Sequence, residues 1–272
     1  QTRQAQHIKA SLVVNGAIEM LVLILKCSSE KGPNLPKGTN IYDVKGPDSR
    51  YAFILQSDAA LFMRRLLTVG DRERTAGLKR VQKAVNEGVI NVLVPHLYCT
   101  GCGSQYAAGA LKELARYETY RQAIVDAGAL HGFCYLLQQD PVATMSSFRH
   151  TTECLHLLSC STIEGFEEAG ILKWLFLTAT AGGDKSTLTS ALCAANITAG
   201  RDDNDNMEEL YGKCELGVHI CRSLYSTISS SSSSLSYLNL MWTQLDILKS
   251  ICILAASEMG AKQLVTSHIK AD

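Results

Sequence analysis

A chain of 272 residues is long enough to bury a large core, and 46% hydrophobic with 19% charged residues is the composition of a folded protein, not a disordered one. Its 26 basic residues are matched by 26 acidic ones, so no basic excess exists to draw in nucleic acid or another polyanion. Few prolines and 7% aromatics fit helices better than strands. The ten cysteines, mostly set in apolar runs such as Ile251-Cys252-Ile253, read as small hydrophobes in a reducing compartment.

In chain order, the first apolar run, Ala17 to Leu25, is shorter than the roughly 18 to 20 residues of a membrane span and carries Glu19. No signal peptide is seen. A start at Gln1 and an end at Asp272 in mid-pattern suggest a processed or partial chain. Residues 28–48 hold Gly32, Pro33, Pro36, Gly38, Gly46 and Pro47 and read as a loop insertion. Longer amphipathic helices are expected at Tyr51–Val69, Ser104–Ala115, Ser147–Ser159, Thr187–Ala199 and Ser236–Ala256. Residues 226–236, with six consecutive serines at Ser229–Ser234, read as a flexible loop. That loop is an inert linker or, in the functional reading, a phosphorylation site.

Between these stretches one phrase recurs, a small residue and Gly followed by two apolar residues. It stands at Gly16-Ala17-Ile18, Gly88-Val89-Ile90, Gly128-Ala129-Leu130, Gly170-Ile171-Leu172 and Gly217-Val218-His219. The glycines are 72, 40, 42 and 47 residues apart, and the insertion accounts for most of the first excess. A helix apolar nearly all round follows most of them, as expected of one sandwiched between neighbours. Gly lets one helix stop and the next start at a sharp angle. A period of roughly 40 to 47 is the armadillo and HEAT range and excludes 34-residue helical pairs.

The three-helix unit with its Gly-Ala-Leu-like phrase resembles the armadillo family. The match is closest at Ala191-Leu192-Cys193-Ala194-Ala195-Asn196-Ile197-Thr198-Ala199-Gly200, which resembles the end of the third helix in importin-α repeats. The resemblance implies an all-α, right-handed superhelical α-solenoid of about five to six armadillo-like repeats. The whole chain, 1–272, would be one such domain, with units at roughly 1–70, 71–117, 118–161, 162–201 and 202–257 and a partial one at 258–272.

The resemblance also implies a concave face lined by third helices, where a Trp and an Asn four residues later grip an extended peptide. Asn196 matches that Asn, but Leu192 stands at the Trp place. Leu66, Glu113, Leu157 and Ile253 fall at the other Asn places, so the ladder is broken in four of five units and nuclear-import-signal reading recedes. The candidate groove residues are Asn196, Leu192, Glu113, Gly109, Glu153, Lys249 and Trp242. Asn196 alone could equally satisfy local backbone at a helix end.

Other motifs lead away from catalysis. Cys99-Thr100-Gly101-Cys102 has no second CxxC, only the more distant Cys214, His219 and Cys221, and is read as a pair of loop thiols. Gly182-Gly183-Asp184-Lys185-Ser186-Thr187 has Asp where a phosphate loop needs Gly, so Ser186 or Thr187 is read as a helix cap. His150 and Cys154, one helical turn apart, lack the remaining ligands of a metal site; with His156 and Cys160 they are read as surface histidines and buried thiols. Seven basic residues in Arg64–Lys83 against Asp71 and Glu73, and the acidic stretch from Asp202 to Glu209, read as solvated faces or as docking patches.

The expectation is therefore a non-enzymatic protein–protein interaction scaffold or structural subunit of a larger assembly. The alternative is a reversible peptide-cargo or client adaptor, of the transport or chaperone kind. Partners are other proteins, without nucleic acid, membrane span, small-molecule substrate, cofactor or metal. Apolar Tyr237, Leu240, Met241 and Trp242 hint at a persistent partner. An intracellular, cytoplasmic location is expected, with an organelle left open.

Overall fold

The computed structural model describes residues 3–31, 47–69, 74–99, 102–139, 146–161, 165–166, 168–175, 234–237, 240–243, 261–262 and 265. The recurring glycines organise it. Gly16, Gly88, Gly128 and Gly170 have φ of 79°, 81°, 82° and 67°. A side chain added at any of the four would meet nothing within 4 Å, so the dihedral demands glycine, not the space. The amides of Gly16, Gly88 and Gly128 donate to the carbonyls of Val13, Val85 and Val125, at 3.3, 2.9 and 2.8 Å. This is the left-handed cap that ends a helix and redirects the chain. At Gly170 the related longer bond runs from the Ile171 amide to the Phe166 carbonyl, 3.3 Å.

Around these caps the helices fall into threes. Unit one comprises α1 (Arg3–Val14), α2 (Ala17–Lys31) and α3 (Pro47–Leu67). Unit two comprises α4 (Arg74–Asn86), α5 (Val89–Leu93) with a 3-10 extension (Val94–Tyr98), and α6 (Cys102–Ala115). Unit three comprises α7 (Glu118–Asp126), α8 (Ala129–Gln139) and α9 (Ser146–Ser159). Residues 171–175 are again helical after Gly170. The chain divides into two compact parts, Gln1–Leu136 and Leu137–Asp272.

In the first part, like packs on like. α2 packs on α5, and α3 packs most extensively on α6. The second helices bury Ile18, Val22 and Leu25 in α2, then Val89, Leu93 and Leu97 in the equivalent stretch. Each such residue contributes roughly 1.5–3 kcal/mol by leaving water. The close approach of α3 and α6 follows from the small residues Gly103, Ala107, Ala108 and Ala110, all buried. A side chain built on Gly103 would come within 3.4 Å of the Ser57 hydroxyl. Among the described residues no single helix is long and apolar enough to cross a membrane; α1 and α2 pass by length and composition only as a pair bent by 66°.

Two expectations change here. Helix intrudes on both ends of the expected 28–48 loop, since α2 continues to Lys31 and α3 begins at Pro47. Proline suits the first helical position, where its missing N–H is not needed. The expected helix Ser236–Ala256 is overturned at its start. β1 (Ser234–Tyr237) pairs antiparallel with β2 (Leu240–Thr243), with Leu235 opposite Trp242 and Tyr237 opposite Leu240. The segment Ser234-Leu235-Ser236-Tyr237 alternates polar and apolar with period two, the pattern of a strand. Trp242 therefore belongs to a strand, not to a third helix. The expected helix 187–199, the rest of the serine-rich loop, and Leu192, Asn196 and Lys249 lie outside the described residues.

Candidate protein-binding surface

Three of the groove candidates, on α6 and α9, have their burial defined. Gly109 and Glu113 on α6 and Glu153 on α9 are all buried, as is Leu66 on α3, while Leu157 is half-buried. Third-helix positions 109, 113 and 153 thus contribute to packing. Glu113 has two cations beside it, and Glu153 has a histidine. Glu113 lies 3.0 Å from Lys112 Nζ, itself buried, and 3.6 Å from Arg116 Nε. Glu153 lies 3.8 Å from His150 Nδ1. A buried carboxylate stays charged beside such cations as Lys112 and Arg116 at Glu113. His150 and His156 are buried, not on the helix surface as their polarity suggested.

The basic run Arg64–Lys83 is in part structural. Arg80 on α4 is buried and donates its Nε–H to the Leu66 carbonyl at 3.1 Å. Arg121 on α7 donates in the same way to the Ala115 carbonyl at 2.8 Å. In each case the first helix of one unit caps the carbonyl end of the preceding unit's third helix, where the helix dipole favours a cation. Lys83 lies 2.6 Å from Glu19 and donates to the Val13 carbonyl at 3.3 Å. Its hydrogen bond holds the Glu19 carboxyl below the usual range. Sequence reading missed these links; the available signal was a basic residue seven or eight positions ahead of the first three repeat glycines, at Lys9, Arg80 and Arg121. Lys9 too reaches a third-helix end, the Thr68 carbonyl at 2.9 Å.

Little here is arranged for chemistry. Cys99, Cys102, Cys134, Cys154 and Cys160 are thiols, not disulfides. Burial pushes the Cys99 thiol up, away from the reactive thiolate. Among the described residues no three His, Cys, Asp or Glu side chains converge as a metal site would require. Burial also lowers the His96 pKa, and its Nδ1 sits 2.8 Å from the Val92 carbonyl, where the neutral ring donates. Tyr98 and Tyr135 stack at 5.3 Å, and the Tyr120 hydroxyl donates to Gln82 Oε1 at 2.7 Å. These contacts tie one unit to the next.

Large apolar side chains are exposed instead on unit one: Ile8 and Leu12 on α1, Met20 and Leu23 on α2, and Ile54, Leu55 and Phe62 on α3. α2 was expected to be sandwiched on all sides, and at Met20 and Leu23 it is not.

No family model and no curated protein matches the chain. Solved structures do. The crystal structure of an engineered protein from the Northeast Structural Genomics Consortium is similar at 19% identity and a TM-score of 0.58, over 92% of this chain and 85% of that one. A designed armadillo repeat protein in complex with the peptide (KR)4 is similar at 14% identity and a TM-score of 0.54, over 92% of this chain and 87% of that one. At these identities the likeness is one of fold, and the fold is an armadillo-like helical repeat.

Proposed function

We propose that the chain is a non-enzymatic binding scaffold, a structural subunit that holds other proteins in a larger assembly. The observation that carries this reading is the exposed apolar surface of unit one, on an armadillo-like fold of stacked helices. Stacked repeats provide extended surfaces and suit proteins or peptides as ligands. Exposed large apolar residues on all three helices of one unit favour a lasting partner over a hydrated face. An intracellular, cytoplasmic setting belongs to the same proposal and rests on the free thiols of Cys99, Cys102, Cys134, Cys154 and Cys160 among the described residues.

The second reading is a reversible peptide adaptor, favoured by the similar designed armadillo protein that was solved with (KR)4. Against it, the acidic residues that could face such a basic peptide, Glu113 and Glu153, are buried beside Lys112 and His150. Native mass spectrometry on the chain purified from its source separates the two. A scaffold emerges in a stoichiometric complex heavier than the 29.6 kDa chain. A lone monomer that saturably binds (KR)4 or other short peptides in fluorescence anisotropy would sink the scaffold reading.

A further inference from the structure

The two thiols of Cys99-Thr100-Gly101-Cys102 stand in different surroundings. Cys99 closes the 3-10 stretch Val94–Tyr98, where its backbone turns extended and its amide donates to the His96 carbonyl at 3.2 Å. Cys102 is the first residue of α6. Cys102 is exposed, and Cys99 is half-buried. Burial pushes the Cys99 thiol up, so it rests protonated at neutral pH.

Gly103 lets Cys99 lie against α6. A Cβ at Gly103 would stand 3.5 Å from Cys99 Cβ, which places the Cys99 side chain on the first turn of α6, one residue along from Cys102. The same spot lies 3.4 Å from the Ser57 hydroxyl on α3. Ser57 is 7% exposed, and its Oγ is buried without a hydrogen-bond partner among the described residues. An unpaired buried hydroxyl is costly, and a redox step beside it is one of the few reasons to keep it.

We propose that Cys99 and Cys102 form a dithiol site that exchanges with low-molecular-weight disulfides of the glutathione kind. Cys102, which solvent reaches, attacks as the thiolate. A bond forms between its Sγ and one glutathione sulfur, the glutathione S–S bond breaks, and one glutathione leaves as a thiolate and takes up a proton. Cys99 then gives its proton to solvent and attacks Cys102 Sγ. The Cys99–Cys102 disulfide forms, the bond to glutathione breaks, and the second glutathione leaves and is protonated. The two cysteine thiols have together lost two electrons and two protons, and one glutathione disulfide has become two glutathione thiols. Ser57 is a positioning residue for the second step. Its O–H donates to the Cys99 sulfur as negative charge gathers there.

The test incubates the full chain with excess oxidised glutathione at neutral pH and follows intact mass and peptide maps with time. The parent chain should gain an internal Cys99–Cys102 disulfide and keep no glutathione at either residue. Cys99→Ser should hold one glutathione on Cys102. Folded Cys102→Ser should take up glutathione at Cys99 about tenfold more slowly than the parent does at Cys102, and urea should close that gap. Ser57→Ala should leave the first attack at the parent rate and lengthen the life of the mixed disulfide about fivefold. Glutathione that stays on Cys102 of the parent chain overturns the proposal. So does a Cys99–Cys102 pair left reduced while other cysteines react. Equal uptake at Cys99 in folded Cys102→Ser overturns the division of roles, and closure at the parent rate in Ser57→Ala overturns the part given to Ser57.

Discussion

The second helices of units two and three occupy the same place in the repeat and are built differently. After Gly88 the α-helix lasts only from Val89 to Leu93, then tightens into a 3-10 turn through Tyr98. After Gly128, α8 runs unbroken from Ala129 to Gln139. The seventh residue after the glycine is Pro95 in one and Tyr135 in the other. Proline has no N–H for the α-helical bond and crowds the carbonyl four residues back, so the chain takes the tighter path. Both nevertheless bury a leucine nine residues after the glycine, Leu97 and Leu137. The repeat preserves the burial pattern and tolerates a change of helix type.

Truncation of the shared leucine gives the largest effect that this comparison expects. Leu97→Ala should destabilise the chain by about 2–5 kcal/mol in urea unfolding, and Gly132→Ala alone by about 1–3 kcal/mol through its clash with Leu97. Because the two residues touch, the double variant should recover part of the loss. Strict additivity would show that α8 does not press on Leu97.

Next in size is the junction. Arg80→Ala should cost about 1–3 kcal/mol, because it leaves the buried Leu66 carbonyl without this donor, and Arg80→Lys should restore only part of it. Equal stability of wild type and alanine variant would remove the cap from the account.

Smaller is the glycine turn before α8. Gly128→Ala should cost about 1 kcal/mol and Gly128→Asn less, since the left-handed φ of 82° is strained for alanine while nothing crowds its side chain. A cost as large as that of Leu97→Ala would mean that packing, not the dihedral, requires glycine there.

The smallest effect at neutral pH belongs to His96, which α8 lacks, having Leu136 at the equivalent place. Its folded pKa is depressed by burial, so the unfolded chain binds the proton more readily. The contribution is fully present above the ordinary histidine value, about 6.5, and is lost as pH falls from there toward the folded pKa. His96→Gln should lessen the fall of the urea midpoint as pH drops below about 6.5. An unchanged slope would show that His96 is not the group responsible.

What the sequence made legible was whatever acts locally. The glycine phrase needs only a dihedral and its neighbours, and it marked the caps at Gly16, Gly88, Gly128 and Gly170 correctly. The third helices of the first three units were placed within a few residues, since apolar periodicity and caps specify them. Tertiary arrangements were not legible. Glu113 is matched by Lys112, an adjacent residue that on an ideal helix does not face it. Arg80 finds the Leu66 carbonyl only once α4 has folded back on α3. The first strand, Ser234–Tyr237, was written in period-two alternation, but the apolar Leu240-Met241-Trp242 read more strongly as helix.

The arginine caps also give the fold an order of completion. The third helix of one unit is finished by a side chain that is still inside the ribosome when that helix leaves it. Arg80 follows Leu66 by 14 residues and Arg121 follows Ala115 by 6. At roughly 5–20 residues per second, the delay is on the order of a second, during which the carbonyl waits for its arginine. A synthesis pause that falls when Ala115 has emerged and Arg121 has not would prolong that exposure, and the synonymous codons then being read become a means of altering folding yield without altering the protein.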